Sequence, residues 1–378
     1  MYAGGDFFSP NGEKEIGSLV ALAADTGAIE DWQPDPNDEV KAVAVAGDTV
    51  AIGGAFASVG DARPRPCLAA VTPAGGLTSW RPRTVCDPDN VEIGNGVAVS
   101  GQDVFAVAGI TLSYNDRVTV TDARTGRVER SLSIAANGGE CCALVVLGSR
   151  LYVGGSFNRI AGMRRSNLAA VDRTSLRALP WNPRANGDID SLAASRDTVW
   201  VAGTFNRIGG ARRTHVAALD TRSGRAKPWS PNVNGPASSI RRFGSTIYLR
   251  GSFTKVGNVE RPDGLAAVDA VTGRPRAWNP RLPRRASGAI LVTGSAVYVV
   301  MEQTYVGQDL SAPAQIIALD RRSGAELAWK PVPPERGFFA PGWTDAIDAL
   351  AASRGRLIVG GEFEPFLITM PLAHSLGR

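Results

Sequence analysis

A six-residue pattern, aromatic or aliphatic-x-Gly-Gly-x-Phe, recurs along this chain at intervals of 47 to 60 residues. Internal repetition at that period restricts the fold more than any local propensity does. Clear copies are Tyr2–Phe7, Ala51–Phe56, Tyr152–Phe157, Trp200–Phe205, Tyr248–Phe253 and Ile358–Phe363, with weaker ones at Phe105–Ile110 and Tyr298–Gln303. A second pattern follows each of the first seven: Leu-Ala-Ala-Val/Leu-Asp, then Thr/Ser-Gly, then Trp-x-Pro. Asp25…Gly27…Trp32, Asp220…Gly224…Trp229, Asp269…Gly273…Trp278 and Asp320…Gly324…Trp329 all place Trp five residues after Gly. Three copies depart: one has Leu176 in place of the glycine, one shortens the spacing to Gly76…Trp80, and one has Ser131 in place of the tryptophan.

Each unit reads as four short strands. In one copy Ile189–Ala194 alternates, Arg196-Asp197 turns, Thr198–Gly203 returns, His215–Asp220 forms a third strand and Ala226–Ser230 a fourth. Four antiparallel strands cannot bury both faces alone, and stacking such sheets around an axis solves the problem. The expected fold is therefore all-β, a β-propeller of four-stranded antiparallel blades occupying 1–378 as one domain of about eight repeats. The chain starts at a second strand, and Ile347–Phe363 supplies a first and a second, so the ends complement each other. Pairing them in one blade gives seven blades; eight is the alternative.

The longest apolar runs, such as Ala289–Val300 and Phe366–Leu372, fall short of the ~18 residues of a spanning helix, so no membrane insertion is expected. Met1–Phe7 lacks the basic and apolar regions of a signal peptide.

The strings Tyr152–Gly162, Asn167–Asp172 and Trp181–Gly187 resemble the delta-60 repeat, a bacterial propeller family, along nearly the whole chain. The resemblance implies an extracellular or periplasmic setting. The Asp-x-x-Thr-Gly-x-x-x-x-Trp stretch is also similar to the tryptophan-docking repeat of pyrroloquinoline-quinone propellers. By that likeness Trp32, Trp80, Trp181, Trp229, Trp278 and Trp329 are structural, each packing on the neighbouring blade's turn and donating to a backbone carbonyl. Some quinoproteins carry a vicinal disulfide, and Cys141-Cys142 is such a pair. No Glu, Asn and Asp set matches that family's calcium and cofactor ligands, so neither pyrroloquinoline quinone nor Ca²⁺ is expected. Cys67 and Cys86 flank one hairpin as a second candidate pair; four cysteines allow three connectivities.

His215 and His374 are the only histidines, which removes the usual base of hydrolase chemistry and the usual metal ligand. The acidic loops Asp35–Asp38 and Asp87–Asn90 offer oxygen ligands, but sister copies carry Asn-Gly there and turn chemistry explains them. No metal site and no catalytic residue is expected.

In an up-and-down blade the second-to-third and fourth-to-first connections share one face. Arg63, Arg65, Arg164, Arg165, Arg212, Arg213 and Arg261 recur on it, and the longest connection there, 330–346, carries Phe338, Phe339 and Trp343. The expected function is a non-enzymatic binding scaffold presenting this arginine-rich face to a protein or anionic glycan. Nucleic acid is disfavoured because no aromatic residues interleave with the arginines. A propeller enzyme, a quinone-dependent dehydrogenase or a glycan lyase or hydrolase, is the alternative.

Overall fold

The computed structural model describes residues 18–362, except 29, 31, 33, 47–48, 61–62, 73, 83–95, 102, 111–112, 123–124, 137–142, 283–284, 302–303, 307–308, 313–314, 330–345 and 354. Among the described residues every named element is a strand, arranged in six three-stranded sheets, one six-stranded sheet and four two-stranded hairpins. Ile189–Ser195, Thr198–Gly203 and Val216–Asp220 form a representative antiparallel sheet, in chain order.

The fourth strand is shorter than the sequence pattern suggests. It shrinks to single bridges such as Leu219↔Ala226 and Val268↔Pro275, each extended by one more bond, Lys227 N–H to the Ala218 carbonyl in the first case. The Trp-x-Pro signature accounts for this: the proline has no N–H to offer the ladder, and the indole turns toward the neighbouring sheet. Where Ser131 replaces the tryptophan, the fourth strand runs the full length of Val128–Ala136.

Period-two alternation gives each sheet two apolar faces. Ile247 and Leu249 pack against Trp200 and Ala202 of the preceding sheet, whereas Tyr248 lies with Val297 and Val299 of the next. The sheet formed by Leu19–Ala23, Arg356–Glu362 and Ala346–Ser353 draws on both ends of the described chain. Its Val20 and Leu22 pack on Ala296, Tyr298 and Val300, and its Leu19 and Ala21 pack with Val40 and Val50.

Six tryptophans link consecutive sheets through one bond each. The indole N–H groups of Trp32, Trp80, Trp181, Trp229, Trp278 and Trp329 donate to the carbonyls of Thr72, Asp122, Asp220, Asp269, Asp320 and Ala23, at 2.7 to 3.0 Å. The receiving turn needs glycine because the ring lies on it: a Cβ on Gly224 would sit 3.3 Å from the Trp181 indole nitrogen, and its φ is +72°. Two of the three departures noted in the sequence meet at one junction. The sheet lacking a tryptophan precedes the turn that carries Leu176, which is 5% exposed and packs among Val107, Val120 and Leu132. Leucine holds a left-handed φ of +54° there and occupies space that glycine leaves to an indole elsewhere. Arg130 bridges this junction instead, donating from Nη1 to the Thr174 carbonyl at 2.7 Å, two residues beyond Asp172, the position whose carbonyl receives the indole in sister repeats.

Candidate functional site

The segments between second and third strands are not plain loops. They fold into two-residue-strand hairpins such as Arg207–Ile208 with Ala211–Arg212 and Lys255–Val256 with Val259–Glu260. Asparagine from the preceding connection fastens them: Asn37, Asn186 and Asn234 each accept two backbone N–H bonds, from Ala57 and Ser58, Asn206 and Arg207, and Thr254 and Lys255. These side chains therefore bond a neighbouring repeat rather than their own turn. In the acidic loop at Asp35–Asp38 only Asn37 is used this way, and among the described residues no group of three His, Cys, Asp or Glu side chains is placed to hold a metal ion.

The recurring arginines divide into two kinds. Arg65, Arg165, Arg213 and Arg261 act inside the fold: Nη1 donates to the preceding residue's carbonyl, and Nη2 to Thr78, Leu179, Lys227 and Arg276 on the fourth segment. Desolvation by burial lowers the pKa of Arg65, Arg165 and Arg261. Arg63, Arg164 and Arg212 are exposed on the hairpins. Arg164 stands opposite Arg159, and Arg212 opposite Arg207, whereas the next hairpin pairs Lys255 with Glu260 at 2.8 Å. An open groove of about 630 Å³ follows, lined by Arg184, Arg207 and Arg225 with Asn182, Gly209 and Gly210. Arg159, Arg184, Arg207 and Arg225 were not singled out from sequence; the five-residue spacing of Arg159 and Arg164 across a tight turn is the signal that marks the paired ones.

A second site lies where the first strands meet, around a cavity of about 420 Å³. Register breaks insert an extra residue into these strands, Lys41, Asp190, Ser238 and Asp348 among them. A bulge re-aims its side chain, and Lys41, Asp190 and Ser238 line the cavity together with Ser191, Arg241 and Arg250. The Gly-Gly pattern is part of this device, since a Cβ on Gly203 or Gly54 would collide with the carbonyl before the bulge, that of Asp188 or Glu39. Lys41 pairs with Glu39 at 3.3 Å. Water reaches Asp190 through the cavity, yet desolvation by surrounding protein pushes its carboxyl up to about 6, with Asp188 adding to the rise and Arg250 opposing it. Arg241 donates from Nη1 to the Ser191 hydroxyl and the Ile240 carbonyl, both at 3.0 Å.

The profile of the PQQ_2 family, described as outer membrane protein assembly factor BamB, matches residues 2–230 and 212–359. The chain belongs to this family. The many small antiparallel sheets are thus the propeller-type sheets of a PQQ_2 repeat protein. No curated protein matches the sequence. Among solved structures, the Dos1 propeller is similar at 11% identity and a TM-score of 0.46, covering 88% of this chain and 95% of that one. The computationally designed Ika4 protein is similar at 15% identity and a TM-score of 0.31, covering 46% of this chain and 88% of its own.

The remaining sequence candidates in this PQQ_2 member are placed as follows. Cys67 is buried, left-handed at φ +60° and disulfide-bonded. His215 takes the same backbone position, φ +65°, as Cys67, Asn167 and Gly264 in sister repeats. Cys86, Cys141, Cys142, Phe338, Phe339, Trp343 and the acidic loop at Asp87–Asn90 lie outside the described residues.

Proposed function

We propose that this chain is a non-enzymatic binding scaffold, one domain closed as a seven-bladed ring, that holds an anionic partner on its arginine-rich hairpins. The observation that carries the binding role is the pair of like-charge contacts, Arg159 opposite Arg164 and Arg207 opposite Arg212, in two hairpins whose neighbour has an ion pair at the same place. Like charges directly opposed on a sheet are destabilising, so although Arg159 also donates to the Gly162 carbonyl of its turn, the pairing itself costs the fold stability that an ion pair would add. Arg207 also lines a groove with Arg184 and Arg225, which focuses positive potential there, a shape that favours an anionic glycan over a flat acidic protein surface.

The seven-bladed reading is supported by the sheet built from both ends and by the Trp329 bond to Ala23. The motif strings from Tyr152 to Gly187 support the narrower assignment to the delta-60 repeat. A disulfide at Cys67 supports an extracellular or periplasmic setting. The family's namesake is an assembly factor, and a scaffolding role here agrees with that description.

The test is titration against heparin and against neutral dextran at low and high salt. Heparin alone should bind, weakening steeply with salt, and replacing Arg164, Arg207 and Arg212 together by Ser should weaken it at least tenfold. Equal binding of the triple variant, or selective binding of an acidic protein instead of heparin, would overturn the glycan reading.

A further inference from the structure

We propose that the cavity between the first strands binds the carboxylate or phosphate group of a small molecule, with Arg241 as its main contact. This site is separate from the hairpin groove and does not depend on it.

The repeat itself points to the residue. By register, Arg241 occupies the position of Ala44, Ala193 and Ala351 in sister first strands, and Arg250 that of Gly53, Ala202 and Gly360 in the second. One hairpin thus places two guanidinium groups where the other copies keep uncharged residues, and both line the cavity.

Arg241 has no carboxylate partner among the described residues, and its Nε and Nη2 carry no hydrogen bond; only Nη1 is used. The side chain is half-buried, and desolvation alone lowers its pKa, with no neighbouring charge contributing. A cation partly stripped of water without a counter-charge carries a desolvation cost, and a bound anion offsets it. The planar fork of a guanidinium fits the two oxygens of a carboxylate or phosphate. Ser191, Ser238 and Ser239 bring hydroxyls to the same wall, and the cavity volume of about 420 Å³ lies in the range that holds small molecules.

The experiment follows the melting temperature and calorimetric binding of the full chain with inorganic phosphate and, separately, succinate, in chloride buffer. At least one probe should bind saturably, and which one separates phosphate from carboxylate recognition. Arg241→Met should bind that probe at least tenfold more weakly while melting no lower than the wild type without it. Should that variant fail to fold, Arg241→Lys, which keeps the charge and loses the fork, should still bind about tenfold more weakly. Arg207→Ser should bind the probe as the wild type does. The absence of a saturable response to both probes, or wild-type binding by the Arg241 variants, rejects the site.

Discussion

The indole N–H of Trp329 donates to the carbonyl of Ala23, 306 positions earlier in the chain, at 3.0 Å. Trp181 makes the equivalent bond to Asp220, only 39 positions away, at 2.9 Å. The same contact thus serves consecutive repeats and the two ends of the array. Trp329→Phe should cost about 0.5–1.5 kcal/mol, because the Ala23 carbonyl loses one of its two donors and keeps Gly27 N–H, while the ring remains to pack on Tyr298. Equilibrium urea unfolding of this variant beside Trp181→Phe checks it. A loss at Trp181 with none at Trp329 would contradict closure of the ring through these ends.

Leu176 reverses an ordinary ranking. Replacing a buried leucine by alanine typically costs about 2–5 kcal/mol, and glycine is usually worse than alanine. At φ +54° the left-handed backbone favours glycine by about 1–2 kcal/mol. Leu176→Gly is therefore expected to be at least as stable as Leu176→Ala, both lying below the wild type in denaturant midpoint.

Adjacent arginines should behave unlike each other. Arg165→Lys cannot reach both the Arg164 and Leu179 carbonyls and should lose about 1–3 kcal/mol. Arg164→Ser, exposed on the hairpin, should stay within about 0.5 kcal/mol of the wild type. Paired thermal melts decide the matter.

Asp190 gives the cavity a pH dependence. Its carboxyl titrates near 6 in the fold against 3.8 ordinarily, so between these values the native state binds the extra proton. The group's contribution to stability consequently falls as pH rises through that window. Asp190→Asn should melt above the wild type at pH 7 and level with it at pH 3.5. A Tm difference that is the same at both values would mean that Asp190 is not held this way.

Repetition made the sheets legible in advance, because side-chain alternation and Gly-Asp-type turns act locally. The six indole bonds were legible too, since a tryptophan at fixed repeat spacing needs a partner at fixed repeat spacing. The hairpins at Arg207–Arg212 and Lys255–Glu260 were not, because strands of two residues carry no periodicity. The split between Arg164 and Arg165 also escaped, since it depends on which of two neighbours faces the fourth segment. Arg241 and Arg250 were visible only as departures from Ala and Gly, and a pattern search for sameness passes over departures. Phe338, Phe339 and Trp343, expected on the longest connection, fall outside the described residues.

The bulges in the first strands have a consequence for how such a chain can change. Lys41, Asp190 and Ser238 each stand outside the backbone pairing of their own sheet, so the ladder is indifferent to what they carry. A substitution there alters what the centre attracts while the surrounding sheets keep their register. The array therefore behaves like a set of interchangeable sockets around a shared chamber, each open to revision without retuning the others.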